Sequence, residues 1–207
     1  TSEQDCRDVV KQIIKKEGRI DVLINNAGYT LAGPTTGFEV KDYQQILSTN
    51  TIGAFRLIKE VVGQMRKQKY GRIINITSLN GLVALPNFGL YSSSKFALEA
   101  LGLSLRYELA KDNIWVTNVA PGAIASDAKE SAPLPHKPAR EKFKILYFLM
   151  PMITKEKIAN RLIEIIENPH PPASVVMGND AKITHFLQKI LLRVVWDKLL
   201  LFVWNKK

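Results

Sequence analysis

The run Arg72-Ile-Ile-Asn-Ile-Thr-Ser78 is a short apolar segment that ends in a serine, and Tyr91-Ser-Ser-Ser-Lys95 opens a helical pattern thirteen residues after it. A continuous apolar run of this length fits a strand buried on both faces of a parallel sheet. On a helix, positions four apart share a face, so the Lys95 ammonium can stand beside the Tyr91 phenol. A free tyrosine titrates near roughly pH 10, and lowering that by about three units needs ~4 kcal/mol of preference for the phenolate. A cation at about 5 Å, with an effective dielectric of roughly 20, supplies ~3 kcal/mol. The pair therefore reads as a candidate catalytic centre, with Ser78 folded back onto it by the Gly- and Pro-containing loop between them. Ser94, Tyr107 and Lys111 repeat the same spacings. Ser94 and Tyr107, however, fall within one helical pattern, which at about 1.5 Å per residue holds them ~20 Å apart.

Outward from this stretch, strand and helix alternate. Asp5 to Lys16 carries Val9, Val10, Ile13 and Ile14 at helical spacing, with Gly18 at the stop. Ile20 to Ile24 reads as a buried strand running into Asn25-Asn26-Ala27-Gly28. A long amphipathic helix is predicted from about Glu39 to Gln68, with Asn50 on its apolar stripe. A helix from Tyr91 to Ala110 follows the strand at Arg72–Ile76. Ile114 to Val119 is the next strand, closed by Pro121-Gly122. Thr154 caps a helix to Glu167, and Ser174 to Met177 is a fourth strand. Connections this long exclude hairpins, so the fold class is α/β, a parallel sheet with helices on both faces. Residues 1–178 form the main unit, with a lid over 122–153. Residues 179–207 form a basic, apolar C-terminal helix.

Composition narrows the function classes. The chain has 207 residues, 46% of them hydrophobic, enough for one sizeable core. Cys6 is the single cysteine, which excludes an internal disulfide and a cysteine-based zinc site. No apolar run of eighteen residues and no signal-peptide pattern occurs, and a cytoplasmic setting is expected. Asn75-Ile-Thr77 matches a glycosylation sequon but lies in the predicted buried strand. The formal net charge is +10, yet six basic residues against Asp197 stand between Ala181 and Lys207. That is a local property of the tail, and nucleic acid is not expected as a partner. His136, His170 and His185 lack metal-ligand spacing, and no metal is expected.

Asn25-Asn-Ala-Gly28, Asn50 in Asn-Thr-Ile-Gly53, Ser78, Tyr91-x-x-x-Lys95 and Pro121-Gly122 resemble, in order and separation, the motifs of the short-chain dehydrogenases/reductases. The resemblance runs from Asp5 to about Met177. It implies a Rossmann-like doubly wound parallel sheet and an oxidoreductase that interconverts a secondary alcohol and a ketone with NAD or NADP. Under it, Tyr91 would be the proton donor or base and Lys95 would lower its pKa and hydrogen-bond the nicotinamide ribose. Ser78 would hold the substrate oxygen, and Asn50 would anchor a water leading from Lys95 to solvent. Asn25, Asn26, Ala27 and Gly28 would pack under the cofactor, with Pro121, Gly122 and Ser126 along the nicotinamide. Ser126 stands where the family often has threonine. A homo-oligomer is also implied.

The front of the chain departs from the family. Its opening strand and Thr-Gly-x-x-x-Gly-x-Gly turn, which bring backbone amides to the pyrophosphate, do not occur, nor does the next strand with its coenzyme-selecting residue. The fold is therefore expected to be N-terminally incomplete, the chain a fragment of a longer enzyme, and the strand at Val22 an exposed apolar edge. A non-catalytic scaffold that retains the fold is the rival. Leu79, Leu82, Val83, Leu85 and Phe88, with Phe143 to Met152, point to a lipophilic substrate such as a steroid, retinoid or fatty ketone. The same side chains packing lid on core is the plainer alternative. The helix from Ile183 to Trp204 has too many charges to span a bilayer, so it lies on a membrane surface, or covers the active site or a partner subunit.

Overall fold

The computed structural model describes residues 2–125 and 152–205. Ser126 and most of the lid expected over residues 122–153, from 126 to 151 and including His136 and Phe143, lie outside the described residues. Four strands, β1 (Val22–Asn25), β2 (Gly71–Ile76), β3 (Ile114–Pro121) and β4 (Ser174–Met177), form one sheet in the order β1-β2-β3-β4, every pair parallel.

Burial explains the unbroken apolar runs. Along β2, Ile73 packs with β3 residues Ile114 and Val116 against α1 (Glu3–Glu17) and α3 (Gly53–Gln68), through Val10, Ile58, Val61 and Met65. Leu109, the last residue of α4 (Gly89–Leu109), joins this cluster. The next residue, Ile74, faces the opposite way with Ile76, Val119 and Met177, against Ile165 of α5 (Lys155–Glu167). Both faces are covered, so both parities of the strand are apolar. This is the doubly wound α/β arrangement. Among the described residues β1 pairs on one side only, and Ile24 is exposed there as expected of an apolar edge.

Local signals set the helix ends. Ser2 accepts a hydrogen bond from the Asp5 amide and Gly18, at φ 74°, closes α1 in the left-handed conformation. Thr154 accepts from the Lys157 amide at the start of α5.

Two helical expectations change. The stretch expected as one helix from Glu39 to Gln68 is α2 (Val40–Leu47), a π-helical turn at Ser48–Ile52, and α3. A π turn inserts an extra residue and re-aims the side chains within it, and Asn50 is at its centre. The tail is two helices, α6 (Asn179–Ile190) and α7 (Arg193–Asn205), because Leu191 takes an extended conformation and ends α6. Their inner side packs Ala181 and Trp196 on Leu79 and Val83, with Leu82, Leu85, Leu187, Leu191 and Leu200 around them. Leu79 and Val83 are therefore buried under α6 and α7 and are not free to line a substrate pocket. Their outer side leaves Phe186, Ile190, Leu192, Val194 and Leu201 exposed.

Candidate active site

Because every strand runs the same way, the segments after β1, β2 and β3 emerge at one edge of the sheet, where α/β folds of this kind bind ligands. Asn25-Asn26-Ala27-Gly28 leaves β1, Thr77-Ser78 leaves β2, and Pro121-Gly122 leaves β3. The helix α4 brings Tyr91 and Lys95 to the same edge.

Four expected residues meet there. Lys95, only 4% exposed, donates from Nζ to the carbonyl of Ile76 at 2.9 Å and stands 5.9 Å from the centre of the Tyr91 ring. Ser78 is buried, accepts a 3.2 Å bond from the Asn80 amide, and stands near enough to the Tyr91 phenol to oppose its rise in pKa. Asn50 is gripped by Tyr29: its Oδ1 accepts from the Tyr29 amide and its Nδ2 donates to the Tyr29 carbonyl, each at 3.0 Å. A Cβ added at Gly28 would come 3.0 Å from Asn50 Oδ1 and 3.4 Å from Lys95 Nζ. The glycine thus lets the backbone after β1 lie directly on Asn50 and Lys95.

The repeated set does not converge. Ser94 and Tyr107 lie on one helix, with Ser94 fully buried and Tyr107 largely exposed. Ser94 still belongs to the site's support: its hydroxyl accepts from Asn50 Nδ2 at 3.0 Å and donates to the Tyr91 carbonyl at 2.7 Å.

The electrostatics differ from the simple pair. Burial pushes the Tyr91 phenol up, opposed by hydrogen bonds from Ser78 and Thr30, and the lysine does not tip this balance. The reason is at Lys95 itself, which burial pulls down to about 8 against the opposing pull of Glu99. A lysine taken out of water has part of its own ionisation to recover before it can assist a neighbour. In this arrangement Tyr91 is a neutral phenol, suited to donate a proton.

Several functional neighbours were not anticipated. Thr30 stands near enough to the Tyr91 phenol to oppose its rise in pKa, and Glu99, Asn75, Asn118 and Thr77 form a buried polar chain behind Lys95. In register across the sheet, Asn25 Nδ2 donates to Asn75 Oδ1 at 2.9 Å and Asn75 Nδ2 to Asn118 Oδ1 at 3.0 Å. Asn118 Nδ2 then donates to Glu99 Oε2 at 2.7 Å. Asparagines inside the apolar runs were the available signal, but their pairing depends on register.

The residues at the strand ends leave exposed backbone that could hold part of a dinucleotide. Asn26, Ala27 and Gly28 are exposed at the sheet edge, while Asn25 Oδ1 is buried without a hydrogen-bond partner among the described residues. At Gly122 a Cβ would collide with the carboxylate of Asp180, whose Oδ2 accepts from the Ala123 amide at 2.7 Å, so Asp180 fixes the Pro121-Gly122 turn. Among the described residues no cluster of histidine, cysteine, aspartate or glutamate is arranged to hold a metal ion.

A family model described as short chain dehydrogenase matches residues 1–136. Among curated relatives, a 3-ketodihydrosphingosine reductase of Bacteroides thetaiotaomicron is 39% identical over 122 residues, 59% of this chain and 45% of that protein. Human retinol dehydrogenase 8 is 39% identical over 111 residues, 54% of this chain and 36% of that protein. The chain thus spans less than half the length of these two relatives. A solved short-chain dehydrogenase from Streptomyces avermitilis superposes with a TM-score of 0.81 at 28% identity, over 96% of this chain and 76% of that one. An NAD+-bound xylitol dehydrogenase gives 0.75 at 26% identity, over 86% and 75%. ElxO with NADP bound gives 0.75 at 25%, over 88% and 75%.

Proposed function

This chain belongs to the short-chain dehydrogenase family, and we propose that it carries the reaction centre of an NAD- or NADP-dependent oxidoreductase that interconverts a secondary alcohol and a ketone. The observation that carries this is the convergence of Ser78, Tyr91, Lys95 and Asn50 on one sheet edge, with Gly28 packed against two of them. The coenzyme, when bound, supplies or accepts the hydride. Asn25, Asn26, Ala27, Gly28, Pro121 and Gly122 would hold its nicotinamide side, and Ser126 is proposed with them on sequence alone.

In ketone reduction the neutral Tyr91 phenol donates its proton to the substrate oxygen, and Ser78 orients that oxygen by a hydrogen bond. Lys95, held by the Ile76 carbonyl, stabilises the phenolate left behind. Asn50 does not move a proton itself; with both amide atoms on Tyr29 it fixes the backbone beside Lys95 and is placed to hold a water there. In alcohol oxidation the same groups act in reverse.

The substrate is proposed to be lipophilic, a retinoid, steroid or long-chain ketone. Support comes from the reductase and dehydrogenase of lipid carbonyls and alcohols among the relatives, and from Phe88 at the entrance to α4. Turnover confined to small charged substrates would refute this. Tyr91→Phe should lower turnover by about 10²–10⁴-fold, measured with retinoid and long-chain ketone panels and both coenzymes. Unchanged turnover would overturn the assignment and favour a non-catalytic scaffold.

We further propose a cytoplasmic homo-oligomer that touches anionic membrane surfaces through α6 and α7. Exposed Phe55 and Phe96 on α3 and α4 offer apolar area to a second copy. Phe186, Ile190, Leu192 and Val194 are exposed beside Lys182, Lys189, Arg193 and Lys198, the combination that suits a surface-lying helix. No helix among the described residues is long and apolar enough to cross a membrane. Flotation with phosphatidylserine vesicles, with and without residues 183–207, decides it: equal flotation would remove the membrane contact.

A further inference from the structure

Glu99 lies one turn beyond Lys95 on α4 and is 5% exposed. A carboxylate at such depth needs hydrogen bonds or a counter-charge; Glu99 has the hydrogen bonds, and the Lys95 ammonium one helical turn away acts on it as a nearby charge without an ion-pair contact. Thr77 Oγ1 lies 2.6 Å from Glu99 Oε1, and Asn118 Nδ2 donates to Oε2 at 2.7 Å. Asn118 is held in turn by the asparagine chain that crosses β2 to Asn25. The helix reaches this depth because residue 102 is glycine, where a Cβ would collide with the Asn118 carboxamide. A Cβ at Gly81 would likewise press on the Lys95 backbone at 3.0 Å and on Glu99 Cγ at 3.2 Å. Lys95 and Glu99 are thus walled into one buried compartment.

The other groups facing the compartment are uncharged. The π turn contributes Asn50, β2 the Ile76 carbonyl and Thr77, and β3 Asn118. On α4 itself the remaining titratable neighbour is Tyr91. Lys95 has a polar partner in Ile76, but a carbonyl carries no charge, and among the described residues Glu99 is the anion that acts on it.

We propose that Glu99 is a positioning residue of the reaction centre, the buried counter-charge that keeps Lys95 protonated, aimed by Thr77 and by the cross-sheet asparagine chain. This rests on the reading of Lys95 as the group that stabilises the Tyr91 phenolate. Burial pulls Lys95 down to about 8, and Glu99 is what limits the fall. Burial also pushes the Glu99 carboxyl up, opposed by Thr77, Asn118 and Lys95 in that order. The hydrogen bonds therefore serve the lysine indirectly, by opposing the rise that burial imposes on the acid.

The test separates charge from shape. The Lys95 13Cε signal of the full chain, assigned by its loss in Lys95→Arg, is titrated in the native protein, Glu99→Gln and Glu99→Asp. Gln keeps the size and the hydrogen-bonding atoms but removes the charge, and should move the Lys95 midpoint down by about one to two units. Asp keeps the charge and shortens the reach, and should leave the midpoint within about half a unit. The alkaline limb of kcat/KM for alcohol oxidation should shift down with Gln and not with Asp. An unmoved Lys95 midpoint in Gln, or an equal shift in Asp, overturns the proposal. If the Gln chain does not fold, the Glu99 13Cδ signal of the native chain decides: a carboxylate already ionised below the Lys95 midpoint upholds the counter-charge, and one still protonated there refutes it. Loss of the predicted midpoint shift is a failure of Glu99, whereas an intact shift in a chain without turnover is a failure of the proposed reaction.

Discussion

Two regions of this molecule treat side-chain polarity in opposite ways. At the carboxyl edge of the sheet, Asn25, Asn75, Asn118, Thr77, Glu99 and Lys95 are all buried, whereas on the outer side of α6 and α7 Phe186, Ile190, Leu192 and Val194 face solvent. Hydrophobicity alone predicts neither. The polar groups can be buried because each side chain finds at least one partner, the asparagines through the sheet register, which offsets the desolvation. The apolar groups of the tail are exposed because its inner side already packs on Leu79 and Val83, and a single helical layer has two sides. What a region buries is set by which neighbours are available to it.

The contrast can be broken at the buried side first, where the largest stability effect is expected. Lys95 is pulled from 10.5 to about 8 in the folded chain. Between those values the unfolded chain binds the proton and the folded chain does not, so stability rises with pH across that window. Below about pH 8 both states are protonated and the full cost of burying the charge is present; above about 10.5 both are neutral and it is gone. Relative to Lys95→Met, the native chain should gain about 3 kcal/mol from pH 7 to pH 10.5, measured by urea unfolding of both at the two pH values. A difference independent of pH would mean that the lysine is not desolvated.

A slightly smaller effect is expected in the middle of the asparagine chain. Asn75→Ala strands Asn25 Nδ2 and Asn118 Oδ1 in the interior and should cost about 2–3 kcal/mol, read from the denaturation midpoint. A loss under about 0.5 kcal/mol, the range of an ordinary surface change, would show that the ladder is not a structural element. The smallest effect belongs to the tail. Phe186→Ser and Leu192→Ser should change stability by less than about 0.5 kcal/mol while reducing flotation with anionic vesicles. A large stability loss with unchanged flotation would sharpen the comparison the other way, by showing that the outer side is packed in solution.

Much of the site was legible because its spacing is local. Tyr91 and Lys95 are one helical turn apart, and Ser78 ends the strand before their loop, so pattern and helix geometry suffice to assemble them. Ser94 was set aside as part of a non-converging repeat, rightly as regards Tyr107. Its hydroxyl nevertheless ties Asn50 to the Tyr91 backbone, a contact between residues 44 apart that no periodicity encodes. The π turn escaped for a related reason: an inserted residue leaves the apolar stripe of α2 and α3 intact on either side. The helix break at Leu191 is marked by neither glycine nor proline. The lysine's effect on Tyr91 was overestimated because a pairwise Coulomb energy leaves out the cost of desolvating the lysine.

The sequence by itself determined the alternation of strand and helix, the two-sided burial of the sheet and which residues are proposed to react. Those follow from residue type and from periods of two and 3.6 residues along the chain. Only the tertiary structure decided how Lys95 is charged and what sustains it, because that depends on which buried atoms stand beside it. Asn25, Asn75 and Asn118 are separated by more than forty residues at each step, and they become neighbours only through the parallel register of three strands. Burial and register are properties of the assembled sheet, so the electrostatics of the site emerges with the fold.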